Sequence, residues 1–152
     1  MNLLPSTTIT TAISPALVTP WVPLNGTPRN LTIQANFTYG SGGTSVDAYI
    51  QTSLDGKTTA TDIANFHFTT SSQRYGCNIS SLQPNGTPLS SSTAPDKQTP
   101  NQALTDGSMA NNTAADGILG PYVRVKYQSS GTYAGGTTLQ VDVHSADIPA
   151  SP

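Results

Sequence analysis

The stretch "NLTIQANFTY", residues 30 to 39, decides the fold: Leu31, Ile33, Ala35, Phe37 and Tyr39 alternate with Asn30, Thr32, Gln34, Asn36 and Thr38. A period of two sends the two sets to opposite faces of an extended chain and predicts a half-buried strand. "GSGG", residues 40 to 43, ends it, and Val46, Ala48 and Ile50 open a second strand that runs to Leu54. Asp55-Gly56 follows, a pair that favours a tight hairpin turn because glycine accepts positive φ. Ile63, Ala64, Phe66 and Phe68 then predict a third strand with a bulge changing its face near Asp62, and Tyr75, Cys77 and Ile79 a fourth.

Towards the C-terminus, "LGPYVRVKYQSS" places Val123, Val125 and Tyr127 on one face and Arg124 and Lys126 on the other. "GTYAGG" turns the chain, and "TTLQVDVHS" returns it with Leu139, Val141 and Val143 inward. The spacing of turn signals predicts an all-β, antiparallel β-sandwich of about seven or eight strands. Jelly-roll and immunoglobulin-like topologies both satisfy this pattern.

Composition agrees with that class. Only 9% of the 152 residues are charged, against about 25% in a typical domain. All eight acids are Asp, so a favoured helix former is missing. A chain of this length buries about 70% of its unfolded surface, and Cys77, the single cysteine, excludes an internal disulfide. Folding in a reducing cytoplasm is the expectation. The N-terminus lacks the basic and continuous apolar regions of a signal peptide, and no segment reaches the length of a membrane helix.

Residues 1 to 15 are polar and β-branched with two prolines, and they predict an extended N-terminal arm held by a partner. Its apolar residues Leu3, Leu4, Ile9 and Ile13, together with Trp21 of "TPWVPL", are the candidate partner contacts. Residues 16 to 148 then form the sandwich domain and 149 to 152 a short tail. Within the domain, residues 83 to 117 are rich in Pro, Ser, Asn and Gly and predict a long, outward-reaching loop.

The chemistry-bearing residues are few. Asp55-Gly56-Lys57 offers one acid and then a cation, which is no calcium loop, so the turn reads as architectural. His67 and His144 lie in separate strands without cysteine or paired histidine, so no metal or other cofactor is expected. No Gly-x-Ser-x-Gly elbow accompanies the serines, and the chain reads as non-enzymatic. The six basic residues are scattered, which argues against direct nucleic-acid binding. Trp21 and Tyr122 are the aromatics best placed for contact with a glycan or a partner.

"LTIQANFTYGSGGTSVDAYIQTSLDGKTTATDIANFHF" and "GPYVRVKYQSSGTYAGGTTLQVDV" together resemble the small β-sandwich structural proteins of tailed bacteriophages. The likeness rests on Ser53, Asp55, Gly56, Asp62, Ile63 and Phe66, and on Arg124, Val125, Tyr127, Gly135, Gly136, Leu139 and Val141. Thr59-Ala60-Thr61 stands where those proteins often carry a Trp. The resemblance implies a non-enzymatic virion protein, a capsid decoration or cement protein that joins the assembled shell as a homo-oligomer. Its partners would be the major capsid protein or other virion proteins. The alternative is a tail or collar accessory, or a carbohydrate-binding module for host adhesion.

Overall fold

The computed structural model describes residues 1–24, 28–81 and 104–146. Within them the chain forms twelve strands and no helix. They are β1 (Asn2–Thr8), β2 (Ile13–Val18), β3 (Val22–Pro23), β4 (Asn30–Thr38), β5 (Ser41–Gly42), β6 (Ser45–Ser53), β7 (Thr61–Phe68), β8 (Gln73–Ser80), β9 (Thr113–Ala114), β10 (Tyr122–Ser130), β11 (Tyr133–Ala134) and β12 (Thr138–Ala146). One antiparallel sheet has the order β1-β12-β4-β8, and the other β2-β10-β6-β7-β9, with β3 also pairing β10. The turn segments "GSGG" and "GTYAGG" supply β5 and β11, which pair with each other.

The eight strands of six or more residues, counted in chain order, give one sheet as first-eighth-third-sixth and the other as second-seventh-fourth-fifth. Of their consecutive pairs, only β6 and β7 stay within one sheet; every other step crosses the sandwich. That interleaving is the double Greek key of a jelly roll. An immunoglobulin sandwich keeps several consecutive pairs in the same sheet.

The core forms where the two alternating faces meet. From β4 come Leu31, Ile33, Ala35 and Phe37; from β12, Leu139, Val141 and Val143; from the facing sheet, Val46, Ala48, Ile50, Val123 and Val125, all at most 2% exposed. Each large aliphatic side chain buried this way contributes about 1.5–3 kcal/mol. At one end Phe37 stacks on Phe68 at 5.1 Å and Phe68 on Tyr75 at 5.2 Å, bridging the sheets, while Tyr133 meets Phe37 edge-on. The Tyr133 ring lies over Gly43, where a Cβ would sit 2.1 Å from it, and the +64° φ there also favours glycine. The bulge foreseen near Asp62 is present: the β6–β7 register shifts between Ile50 and Gln51.

The N-terminal segment corrects the expectation of an extended arm held by a partner. Residues 2 to 8 are the edge strand β1, paired with β12, and residues 13 to 18 are β2, paired with β10 on the opposite sheet. Leu3, Leu4 and Ile9 are buried in the core at 4%, 4% and 2% exposure, so none is available to a partner, and Ile13 packs half-buried against the same core. Irregularities between Asn2 and Leu4 and between Leu4 and Thr7 turn consecutive leucines inward. That erases the two-residue period by which strands are recognised in sequence. Pro5 is tolerated because an edge strand can leave one side unpaired.

Of the expected outward loop, residues 83 to 103 lie outside the described residues, and so does the tail 149 to 152. Residues 104 to 117 do not reach outward. They return along the second sheet, where β9 pairs β7.

Deleting residues 1 to 8 should therefore abolish the cooperative thermal melt followed by circular dichroism, since it removes an edge strand and two core leucines. Leu4→Ala alone should cost about 2–5 kcal/mol in urea titration. A truncated chain melting at the parent temperature would return the segment to the role of an arm.

Candidate functional site

The outer face of the β10-β6-β7 sheet carries polar side chains in three cross-strand rows. Arg124, Gln51 and Asp62 form the first, Lys126, Tyr49 and Asn65 the second, and Gln128, Asp47 and His67 the third. Alternation alone would expose this face, yet Gln51, Asn65 and Asp62 are 0%, 1% and 4% exposed. Residues 104 to 112 lie across it, and the rows hold them there.

Gln51 is the centre of that contact. Its Nε2 donates to Asp62 Oδ1 and to Asp106 Oδ1, both at 2.8 Å, and its Oε1 accepts from Arg124 Nε at 2.8 Å. The second oxygen of Asp62 accepts from the backbone N–H groups of Gly107 and Ser108 at 2.7 and 3.2 Å, and the Asp62 N–H donates to the Thr105 carbonyl. Gly107 takes a φ of +79° with the Lys126 side chain 2.7 Å from where a Cβ would stand, so glycine suits both the turn and the space. Asn65 Nδ2 donates to the Met109 carbonyl, and Asn112 Oδ1 accepts from the His67 N–H. Every buried acid thus has donors, as burial of charge demands.

Asp106 also accepts from Lys126 Nζ at 2.8 Å. That bond, followed by the one from Gln51, holds its carboxyl below the usual range. His67 Nδ1 meets Asp47 Oδ1 at 2.6 Å, a pair invisible in sequence because 20 residues separate the partners. Burial, with Asp47 and Asp62 adding to it, raises the Tyr49 phenol. His144 stands exposed on the other sheet, where the neighbouring Asp142 accepts instead from Gln140.

The Asp55 turn is architectural, as the sequence implies, but its geometry differs. Positive φ falls at Gly56 and Lys57 rather than at Asp55 and Gly56, and residues 54 to 60 form a wider loop. Asp55 shapes it by side chain: Oδ1 accepts from the Thr59 N–H and Ser53 Oγ, and Oδ2 from Thr59 Oγ1 at 2.8 Å. The backbone bond from Thr59 is the largest cause of a lowered Asp55 pKa.

This loop forms one wall of a cleft of about 350 Å³, lined by Trp21, Lys57, Thr58, Thr59, Ala60, Asp106 and Arg124. The Arg124 guanidinium lies 4.3 Å from the Trp21 ring centroid, and Lys57 Nζ lies 4.6 Å from that of Tyr122. Both are cation–π contacts. Of the residues singled out in sequence, Trp21 lines the cleft and Tyr122 stands beside it, two residues before Arg124 on the same strand face. Leu3, Leu4, Ile9 and Ile13 belong to the core instead. Lys57, Asp106 and Arg124 were not foreseen as site residues; the outward placement of Arg124 was legible, but its link through Gln51 to a loop carboxylate was not.

Cys77 sits half-buried on β8 against the core, and burial, then Asp116, pushes its thiol up to about 11. It stays protonated at neutral pH and packs as a small apolar group. Among the described residues no three His, Cys, Asp or Glu side chains gather as metal ligands. No protein-family model, curated protein or solved structure matches the chain.

Two outcomes follow from the polar rows. Asp62→Ala strands the donors of Gln51, Gly107 and Ser108 and should cost about 2–4 kcal/mol in urea titration. Asp55 and Asp106 have folded pKa values below their unfolded ones, so the unfolded chain takes up protons first as pH falls. Their stabilisation is present above about pH 4 and is lost as pH drops through the lowered folded values. Asp55→Asn combined with Asp106→Asn should flatten this acid limb in a plot of melting temperature against pH.

Proposed function

We propose that the chain is a non-enzymatic virion structural protein of a tailed bacteriophage, a decoration or cement protein that joins an assembled shell as a homo-oligomer. The observation that carries this reading is how the few charges are used. All six acids of the described residues, Asp47, Asp55, Asp62, Asp106, Asp116 and Asp142, accept hydrogen bonds from within the fold. The exposed polar residues are then mostly Ser, Thr, Asn and Gln, with a few charges among them, and neutral polar groups form hydrogen-bonded contacts without the desolvation cost of ions. The likeness to phage sandwich proteins supports the same reading, and jelly rolls serve in viral capsids.

With the arm absorbed into the sandwich, the contact surface moves to the edge strand β2. Leu17 and Val18 there are each 50% exposed, on the end strand of their sheet among the described residues. An edge carrying exposed aliphatic residues is a template for pairing with another chain. The Trp21 cleft favours the second reading, a tail or collar accessory or glycan-binding module.

Light scattering should give an oligomer mass for the free protein, and sedimentation with empty shells should show saturable co-pelleting with the major capsid protein. Leu17→Lys with Val18→Lys should remove co-pelleting and leave the melting temperature near the parent value. Retained co-pelleting would clear the β2 edge of the role, and a protein that ignores shells would move the reading to the accessory alternative.

A further inference from the structure

We infer that the Trp21 cleft binds an acidic sugar residue, a pyranose ring bearing one carboxylate, within a polysaccharide. The inference stands apart from the shell contact, which uses a different strand.

The cleft holds two cations that form no ion pair among the described residues. Arg124 spends Nε on the Gln51 carbonyl oxygen, and among the described residues its terminal Nη groups have no hydrogen-bond acceptor. Lys57 Nζ rests over the Tyr122 ring and likewise has no acceptor there. The cleft's one carboxylate, Asp106, receives Lys126 and Gln51 on the same oxygen, Oδ1, which leaves Oδ2 to take a donor from outside. Thr58 and Thr59 donate their hydroxyl protons to Asp55, so towards a ligand both oxygens act as acceptors.

That inventory fits one ligand chemistry. A guanidinium fork beside an ammonium group suits a single carboxylate, and acceptors on Asp106, Thr58 and Thr59 suit the hydroxyl protons of a sugar. The Trp21 indole adds an aromatic wall, and the volume of about 350 Å³ lies at the lower end of ligand pockets, which run about 300–1,000 Å³. A polyphosphate fits poorly: Asp106 would face it, and Lys126 is already paired. The stacking of Arg124 on Trp21 presets the guanidinium, so little ordering is left for the ligand to cause.

The test is titration calorimetry of the full chain, without shells, at low salt. The probes are trigalacturonate, its neutral methyl ester, sialyllactose, lactose and inorganic phosphate. Saturable binding of an acidic sugar with a Kd near or below about 1 mM, at least about tenfold tighter than its neutral counterpart, is the expected result. Lys57→Gln, in an exposed loop, should weaken that binding about fivefold or more and leave the melting temperature unchanged. Trp21→Ala should weaken it for acidic and neutral sugars alike. No saturable heat with either acidic sugar, equal affinity for the methyl ester, phosphate binding as tightly as the sugar, or indifference to Lys57→Gln would each overturn the inference. Because no shell is present, these outcomes leave the virion reading untouched, and failure to pellet with shells leaves the sugar site untouched.

Discussion

Gln51 has no exposed surface, and its amide joins two carboxylates to a guanidinium. The outer face of the larger sheet depends on it. A neutral side chain in that position donates to both anions through Nε2 and accepts from the cation's Nε through Oε1, so one amide links three charged groups. An apolar residue there would take a donor away from Asp62, which is 4% exposed beneath the covering loop, and a buried ion short of partners costs several kcal/mol. The loop from Thr105 to Ser108 is held by the Asp62 side of this arrangement, and the cleft by its Arg124 side. The same amide therefore decides both the covering of the sheet and the position of the one guanidinium that faces solvent beside Trp21.

This arrangement explains why β6 reads as a half-buried strand and folds as a doubly buried one. Val46, Ala48 and Ile50 alternate with Asp47, Tyr49 and Gln51, and the alternation is real, because the first set faces the core and the second the polar rows. What covers the second set comes from more than fifty residues downstream, where Asp106 meets Gln51. Periodicity reports which way a side chain points; it carries no information about what later lies on top.

The same distinction separates what was legible from what was not. β4, β10 and β12 announce themselves because each has an unbroken period of two and one apolar face, and the all-β sandwich follows from them. β1 was hidden because its bulges put Leu3 and Leu4 on the same side, so a core strand carries the pattern of a loose arm. The choice of jelly roll over immunoglobulin topology depends on which strands pair at long range, above all β1 with β12 and β2 with β10, and local pattern is silent on that. In the site, Trp21 and Tyr122 drew notice as aromatics near turns and edges. Lys57 looked like a turn residue and Asp106 like half of an Asp-Gly turn, and both descriptions are correct locally. That both line one cleft is a property of the covering loop and the β6–β7 loop together.

β10 gathers these features into one side of the molecule. Val125 exchanges two hydrogen bonds with Thr19, its carbonyl taking the Thr19 N–H and its own N–H donating to Thr19 Oγ1. That fixes the chain between β2 and β3 and so places Trp21 over Arg124, one residue away along β10. Lys126 and Tyr127 of the same strand pair with Val18 and Leu17 of the exposed edge. The aliphatic edge and the cationic cleft thus share a single central strand, whose inward face is core and whose outward face is the polar rows. Because β10 is anchored on one side by β6 and on the other by β2 and β3, both surfaces are held in place by the fold itself, and a contact at the edge would stand beside the cleft without covering the loop that forms its far wall.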